Sequence, residues 1–141
     1  MTSIEQLKKE AKKKKLRGFA NVIEKRLESA QKVHKKKVEE LIKGLRSRVV
    51  YNPKDGKWAA LITIDNGNIT VEGIKNTPKE NLSRKKLLWW GYMETSIQNF
   101  MNAEKISNFK WFLKMIRFNT KIRGIPHVRL IGDIIALSTQ S

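Results

Sequence analysis

The sequence predicts a mainly α chain in three blocks: a long basic N-terminal helical arm over residues 1–48, a small antiparallel β-meander over 49–76, and an aromatic-rich C-terminal helical bundle over 77–141. Three observations predict it. Between Ile4 and Leu45 there is no proline, and apolar residues recur three, four or seven apart. From about Arg48 to Ile74 the period changes to two around two turn signals, and from Thr77 helix-start chemistry and three-four spacing return.

In the arm, Leu16, Phe19, Ile23, Leu27, Ala30, Leu41 and Leu45 line a narrow helical stripe. Lys14, Lys25, Lys32, Lys36 and Lys43 fall near the opposite meridian, with Arg17, Lys35 and Arg46 beside them. Gly18 and Gly44 each weaken a helix by about 1 kcal/mol relative to alanine, so a break near Gly18 is a natural place for a helix-turn-helix. His34 sits on the apolar meridian and reads as a packed core residue. A stripe this narrow does not hold a lone helix in water; it needs the C-terminal region or a second subunit.

Charge adds a partner class. Of 141 residues, 30 are Lys or Arg and 13 Asp or Glu, for a net +17, and the first 48 residues are the denser half. Such a surplus repels itself unless an anion is near, and nucleic acid is the leading candidate. Lys12 to Lys15 have only Glu10 nearby; a polyanion, a disordered tail, or a targeting or membrane-surface role would each suit them. Glu28 with Lys32 and Glu39 with Lys43 are spaced i,i+4, which equally describes an ordinary solvated face. The candidate phosphate contacts are Lys8, Lys9, Lys12, Lys13, Lys14, Lys15, Arg17, Lys25, Lys32, Lys35, Lys36, Lys43, Arg46 and Arg48. If about eight of them met duplex phosphates, the log–log salt slope would be about −7.

The chain has no cysteine, which excludes disulfides and thiolate metal sites. No apolar run reaches the length of a membrane span, and no secretory signal opens the chain, so a soluble, non-exported chain is expected. The sequons at Asn68 and Asn81 then carry no weight.

In the middle block, Asn52-Pro53-Lys54-Asp55-Gly56 and Asn66-Gly67 are turn signals. Between and after them Trp58, Ala60, Ile62 and Ile64 alternate with their neighbours, as do Ile69 and Val71, predicting strands near 46–51, 57–64 and 69–74. The run "GKWAALITIDNGNITVEG" followed by a helix resembles the three-stranded sheet plus helix of the AP2 and integrase-arm DNA-binding domains. That resemblance implies a sheet laid in the major groove, with Arg48, Lys57 and Trp58 as the readers.

Thr77-Pro78-Lys79-Glu80 predicts a helix start, and Leu87, Trp90, Met93, Ile97 and Met101 continue it to about residue 104. Ser107 or Asn108 can cap a further helix with Phe109, Phe112, Leu113 and Ile116 on one side and Trp111, Met115 and Phe118 off it. Val128, Ile131, Ile134 and Ile135 suggest a short last helix, with a strand as the alternative. Eight of the eleven aromatic residues lie between Trp89 and Phe118, more than one small core needs; a subunit interface, base stacking or lipid contact would each use the surplus.

Catalysis finds no constellation. His34 and His127 stand in no ligand spacing, Asp55 and Asp65 belong to turns, and no phosphate-loop, dinucleotide, nucleophile-elbow or metalloprotease pattern occurs. No enzyme, metal or cofactor is expected.

The blocks "KKEAKKKKLRGF" with the amphipathic run to Arg48, and "LLWWGYMETSIQNFMNAEKISNFKWFLKMIRF", are similar in layout to the major capsid proteins of filamentous archaeal viruses of the lipothrixvirus and rudivirus type. The resemblance implies a virion subunit whose basic arm wraps double-stranded DNA, which assembles with itself or a paralogous subunit, and whose apolar surface meets a lipid envelope in some members. Other classes stay open: a cellular architectural or sheet-reading DNA-binding protein in the cytoplasm or nucleoid, or a ribosome-associated RNA-binding protein.

Overall fold

The computed structural model describes residues 18–101, 110 and 120–138. Three strands form close to their predicted places: β1 (Ser47–Pro53), β2 (Trp58–Asp65) and β3 (Asn68–Lys75). They pair antiparallel in sequence, with Val49 opposite Ile62 and Ile62 opposite Val71. The Asn66-Gly67 turn takes positive φ at both residues, 51° and 77°, as a tight hairpin of this kind requires.

The chain is nevertheless α/β and not mainly α. β4 (Gly91–Thr95) runs parallel to β1, β5 (Lys121–Arg123) runs antiparallel to β4, and the five-stranded mixed sheet has the order β3-β2-β1-β4-β5. The single helix expected over 78–104 does not form. In its place are a 3-10 turn (Lys79–Leu82), a one-turn helix α3 (Arg84–Leu87), β4, and the short helix α4 (Ile97–Met101). The capping box expected at Thr77 is unused; Ser83 caps α3 instead, its Oγ accepting from the Lys86 N–H at 3.3 Å.

The reason is tertiary. Leu88 adopts a left-handed conformation that ends α3, and the next residues enter the slot beside β1, where Gly91, Tyr92 and Met93 are all buried. Gly91 fits there because a Cβ would lie 3.0 Å from the His127 Cβ and 3.3 Å from the Gly124 carbonyl oxygen. Three-four spacing of Leu87, Trp90 and Met93 is real in the sequence but is outcompeted by a position between β1 and β5 in which Gly91, Tyr92 and Met93 are buried.

The described part of the arm is helical. It is two helices, α1 (Phe19–Val33) and α2 (Lys35–Ile42), parted at His34, whose φ of −119° and ψ of 45° leave the helix. Gly18, with φ 63°, precedes α1; residues 1–17 lie outside the described residues. The apolar stripe found its partner within the chain: Phe19, Ala20, Ile23, Leu27 and Ala30 are buried against the sheet and the last helix, α5 (Ile125–Leu137). Leu45 departs from the stripe and is exposed, and His34 is half-buried at the break instead of packed in the core. The last segment is the helix and not the strand alternative, with Val128, Ile131, Ile134 and Ile135 buried.

One core therefore draws on all three blocks. Val49, Tyr51, Ala60, Ile62, Val71 and Met93 face the layer of α1, α2 and α5, where Phe100 packs its ring at 4.8 Å from both Phe19 and Tyr51. The opposite sheet face holds a smaller cluster of Val50, Ala59, Leu61 and Tyr92 under Leu82, Leu87 and Trp89. The segment 79–89 is the connection that carries the chain from the β3 edge across to β4, and it covers only part of this second face. Of the eight clustered aromatics, Phe100 and Tyr92 are buried and Trp90 is exposed; Phe109, Trp111, Phe112 and Phe118, with the helix expected from Ser107, lie outside the described residues, where only Lys110 is seen, helical and exposed.

Candidate nucleic-acid interface

Among the described residues, the predicted phosphate contacts do not form one surface. Lys8, Lys9, Lys12, Lys13, Lys14, Lys15 and Arg17 lie outside the described residues. Lys25, Lys32, Lys35, Lys36, Lys43 and Arg46 are all exposed, the first four on α1 and α2 and the last two in the segment that follows, but Glu24, Glu28, Glu39 and Glu40 share those helices. Arg46 pairs with Asp65 at 3.1 Å in a solvent-exposed bridge, a geometry worth little to stability. Arg48 is half-buried and structural: its Nε donates to the Leu87 carbonyl at 2.9 Å, tying α3 to the sheet. Trp58, the expected sheet reader, is half-buried at a cleft with Gly18, Phe19 and Ile97, on the helical side, whereas Arg48 points to the other face. The two cannot read one groove together.

The open face of the sheet carries a denser cationic group that the sequence reading missed. Lys121 and Arg123, two apart on β5, project to the same face as Glu94 and Tyr92, their register partners on β4, while Ile122 between them packs into the main core. Lys79 arrives from the 3-10 turn, and its Nζ stands 3.5 Å from the Glu94 carboxylate. Together with Leu82, Ser83, Trp89 and Tyr92 these cations line a cleft of about 250 Å³. Arg84, Lys85 and Lys86 are exposed along α3 beside it, and the Arg84 guanidinium lies 5.7 Å from the Trp89 ring centre, within cation–π range.

The cleft is held stiffly. Trp89 donates its indole N–H to the Leu82 carbonyl at 2.9 Å, and its ring centre is 5.3 Å from that of Tyr92. The Tyr92 hydroxyl donates to Glu94 at 2.7 Å, and the Asn52 side-chain amide donates to Glu94 at 3.0 Å. Asn76, at the end of β3, bonds Asn52 Oδ1 and the Gly56 carbonyl at 2.9 Å each, locking the start of the connection to β1. Partial burial pushes the Glu94 carboxyl up, but the Tyr92 hydroxyl, Lys79, the Asn52 amide and Lys121 together outweigh it and hold the pKa below the usual carboxylate value. Burial, then the hydrogen bond to Glu94, drives the Tyr92 phenol well above its ordinary range. Glu94 is therefore a bonded carboxylate at neutral pH, and three cations face one anion.

A larger cleft of about 730 Å³ lies between the end of α2 and the Asn66-Gly67 turn. Volume alone favours it, chemistry does not: Lys36, Lys43 and Arg46 are set against Glu39 and Glu40, and Arg46 is already paired with Asp65. The smaller cleft has the stronger electrostatic bias and the aromatic floor. Its signal was present in the sequence as "SRKKLLWWGY" and "KIR", basic residues interleaved with aromatics, but only pairing of β4 with β5 brings the two stretches together.

Other chemistry is sparse. Ser47 Oγ and His127 Nδ1 are 2.8 Å apart, but Ser47 is only 2 % exposed, which suits a structural tie and not a nucleophile. Among the described residues no group of three or more His, Asp or Glu side chains could hold a metal ion, and no helix is long and apolar enough to cross a membrane. No family model, curated protein or solved structure matches the chain.

Proposed function

We propose that this protein binds nucleic acid through sequence-independent contacts to phosphates. One observation supports this best: Lys79, Lys121 and Arg123 line one cleft with Trp89, Arg84 lies against that ring, and Lys85 and Lys86 are exposed on the same short helix, in a chain of net charge +17. Cations of this kind neutralise phosphates and position a polymer without reading bases. The exposed lysines of α1 and α2 form a second, weaker flank because acids are mixed among them.

Coating of double-stranded DNA as a virion subunit is the narrower form of the proposal. Its layout argument is reduced, since the described part of the arm packs on the sheet and Gly91–Thr95 is a strand and not part of an outer bundle. It stands on charge, and electron microscopy of the protein mixed with duplex DNA and with RNA decides it. Ordered filaments on DNA support a coating subunit; discrete complexes support a small architectural or RNA-associated protein.

The general reading is tested by fluorescence anisotropy against salt. Affinity for duplex DNA should fall steeply, by a log–log slope of about −0.9 for each phosphate neutralised. Replacing Arg84, Lys85 and Lys86 with Gln should flatten that slope by about 3 if all three meet phosphate. An affinity that barely changes with salt overturns the reading.

A further inference from the structure

We infer that the cleft between the 3-10 turn and β5 is a binding site for the phosphate monoester of a nucleotide, at a strand end or free. The inference rests on the nucleic-acid reading for its polymeric ligand, but the site is argued from its own chemistry. Lys79, Lys121 and Arg123 come from two distant stretches of chain and meet only here, above Glu94. Glu94 offsets only one of the three charges, and its carboxylate is held in place by the Tyr92 hydroxyl and the Asn52 amide as well as by Lys79. A site with three cations against one such anion is matched to a ligand of nearly two negative charges. A terminal phosphate carries between about 1.5 and 2 near neutral pH, whereas a backbone phosphodiester carries one.

The rest of the cleft argues for a nucleotide over a bare anion. Its floor is Leu82, Trp89 and Tyr92, apolar surface that inorganic phosphate would leave wet and that a sugar and base would cover. The indole is locked by its bond to Leu82 and cannot turn to make a polar contact of its own. It serves as a fixed wall, which lowers the ordering cost of binding. The volume of about 250 Å³ suits one nucleotide unit and not a duplex.

The test uses the full chain and short single strands of one sequence carrying either a 5′-phosphate, a 3′-phosphate or only hydroxyl ends, read by anisotropy. A phosphorylated end should bind about tenfold more tightly than the hydroxyl strand, equal to about 1.4 kcal/mol. In Lys121→Gln/Arg123→Gln that ratio should fall to about one, whatever happens to the absolute affinities, and Lys79→Gln should lower it in part. In Lys35→Gln/Lys36→Gln, on the helical flank, both strands should weaken equally and the ratio persist. Equal affinities in the parent protein, or a ratio that survives Lys121→Gln/Arg123→Gln in a protein shown folded by circular dichroism, overturns the site. A calorimetric arm compares a nucleoside 5′-monophosphate, the nucleoside and inorganic phosphate. If the monophosphate binds and the polymers do not, the coating proposal fails and this site stands. If inorganic phosphate binds as tightly as the monophosphate, the nucleotide assignment is overturned.

Discussion

The Tyr51 hydroxyl donates to the Val128 carbonyl at 3.0 Å, joining the central strand β1 to α5 at the middle of the core. Burial, and secondarily the charge of Asp133, raises the Tyr51 phenol far above its ordinary value, and Tyr92 is raised as well. These are the two tyrosines of the chain. Both folded-state values exceed the unfolded one, so the stability they contribute is complete below about pH 10 and is lost as pH rises further. Phenolate absorbance should therefore appear only together with loss of circular dichroism. A phenolate titrating near pH 10 in a folded chain would contradict the burial of both rings. Tyr51→Phe should cost about 1 kcal/mol in urea unfolding, the usual size of such a bond.

Gly124 combines a φ of 65° with contact against backbone: a Cβ there would collide with the Trp90 carbonyl oxygen, the chain entering β4. Gly67 has a φ of 77° in open space. Gly67→Ala should cost about 1 kcal/mol, the conformational term alone, while Gly124→Ala should cost about 3 kcal/mol or more because collision adds to it. Equal losses in thermal or urea unfolding would show that α5 does not press on β4 as described.

Glu94 has its folded-state pKa held below the ordinary range, so its ionised form favours the folded chain. That contribution is present above the unfolded value, about pH 4.3, and is lost as pH falls through the lower folded value. Glu94→Gln keeps an acceptor for Tyr92 and Asn52 but removes the titration. Its stability should decline less steeply than the parent's below about pH 4, measured by urea midpoints across acid pH; parallel curves would show that Glu94 is not coupled to folding.

Ser47→Ala removes the tie between β1 and His127, the residue whose ring meets Trp90 edge-on at 5.4 Å. A loss of about 1 kcal/mol is expected in urea unfolding, with nucleic-acid affinity intact. A large loss of binding in a stable Ser47→Ala protein would move the functional surface toward His127.

The hairpin strands were legible because their information is local: Asn66-Gly67 has its turn conformation nearly prescribed, and alternation around it sets the register. The buried stripe of α1 was legible for the same reason, since periodicity names a face without naming what covers it. The cationic cleft was legible only as separate basic stretches and not as a site. Lys79 and the Lys121–Arg123 strand are far apart in the chain, and neither is rich enough in charge to stand out beside Lys12 to Lys15.

By itself the sequence determined the excess positive charge, the meander and the helical faces, because composition, turn chemistry and periodicity are properties of neighbouring residues. Only the tertiary structure decided that "GYMET" is a strand and that the apolar stripe of the arm's described part belongs to the core. Parallel pairing of β1 with β4 joins residues that are distant in the chain, and the free energy of filling that buried slot outweighs the local preference for helix.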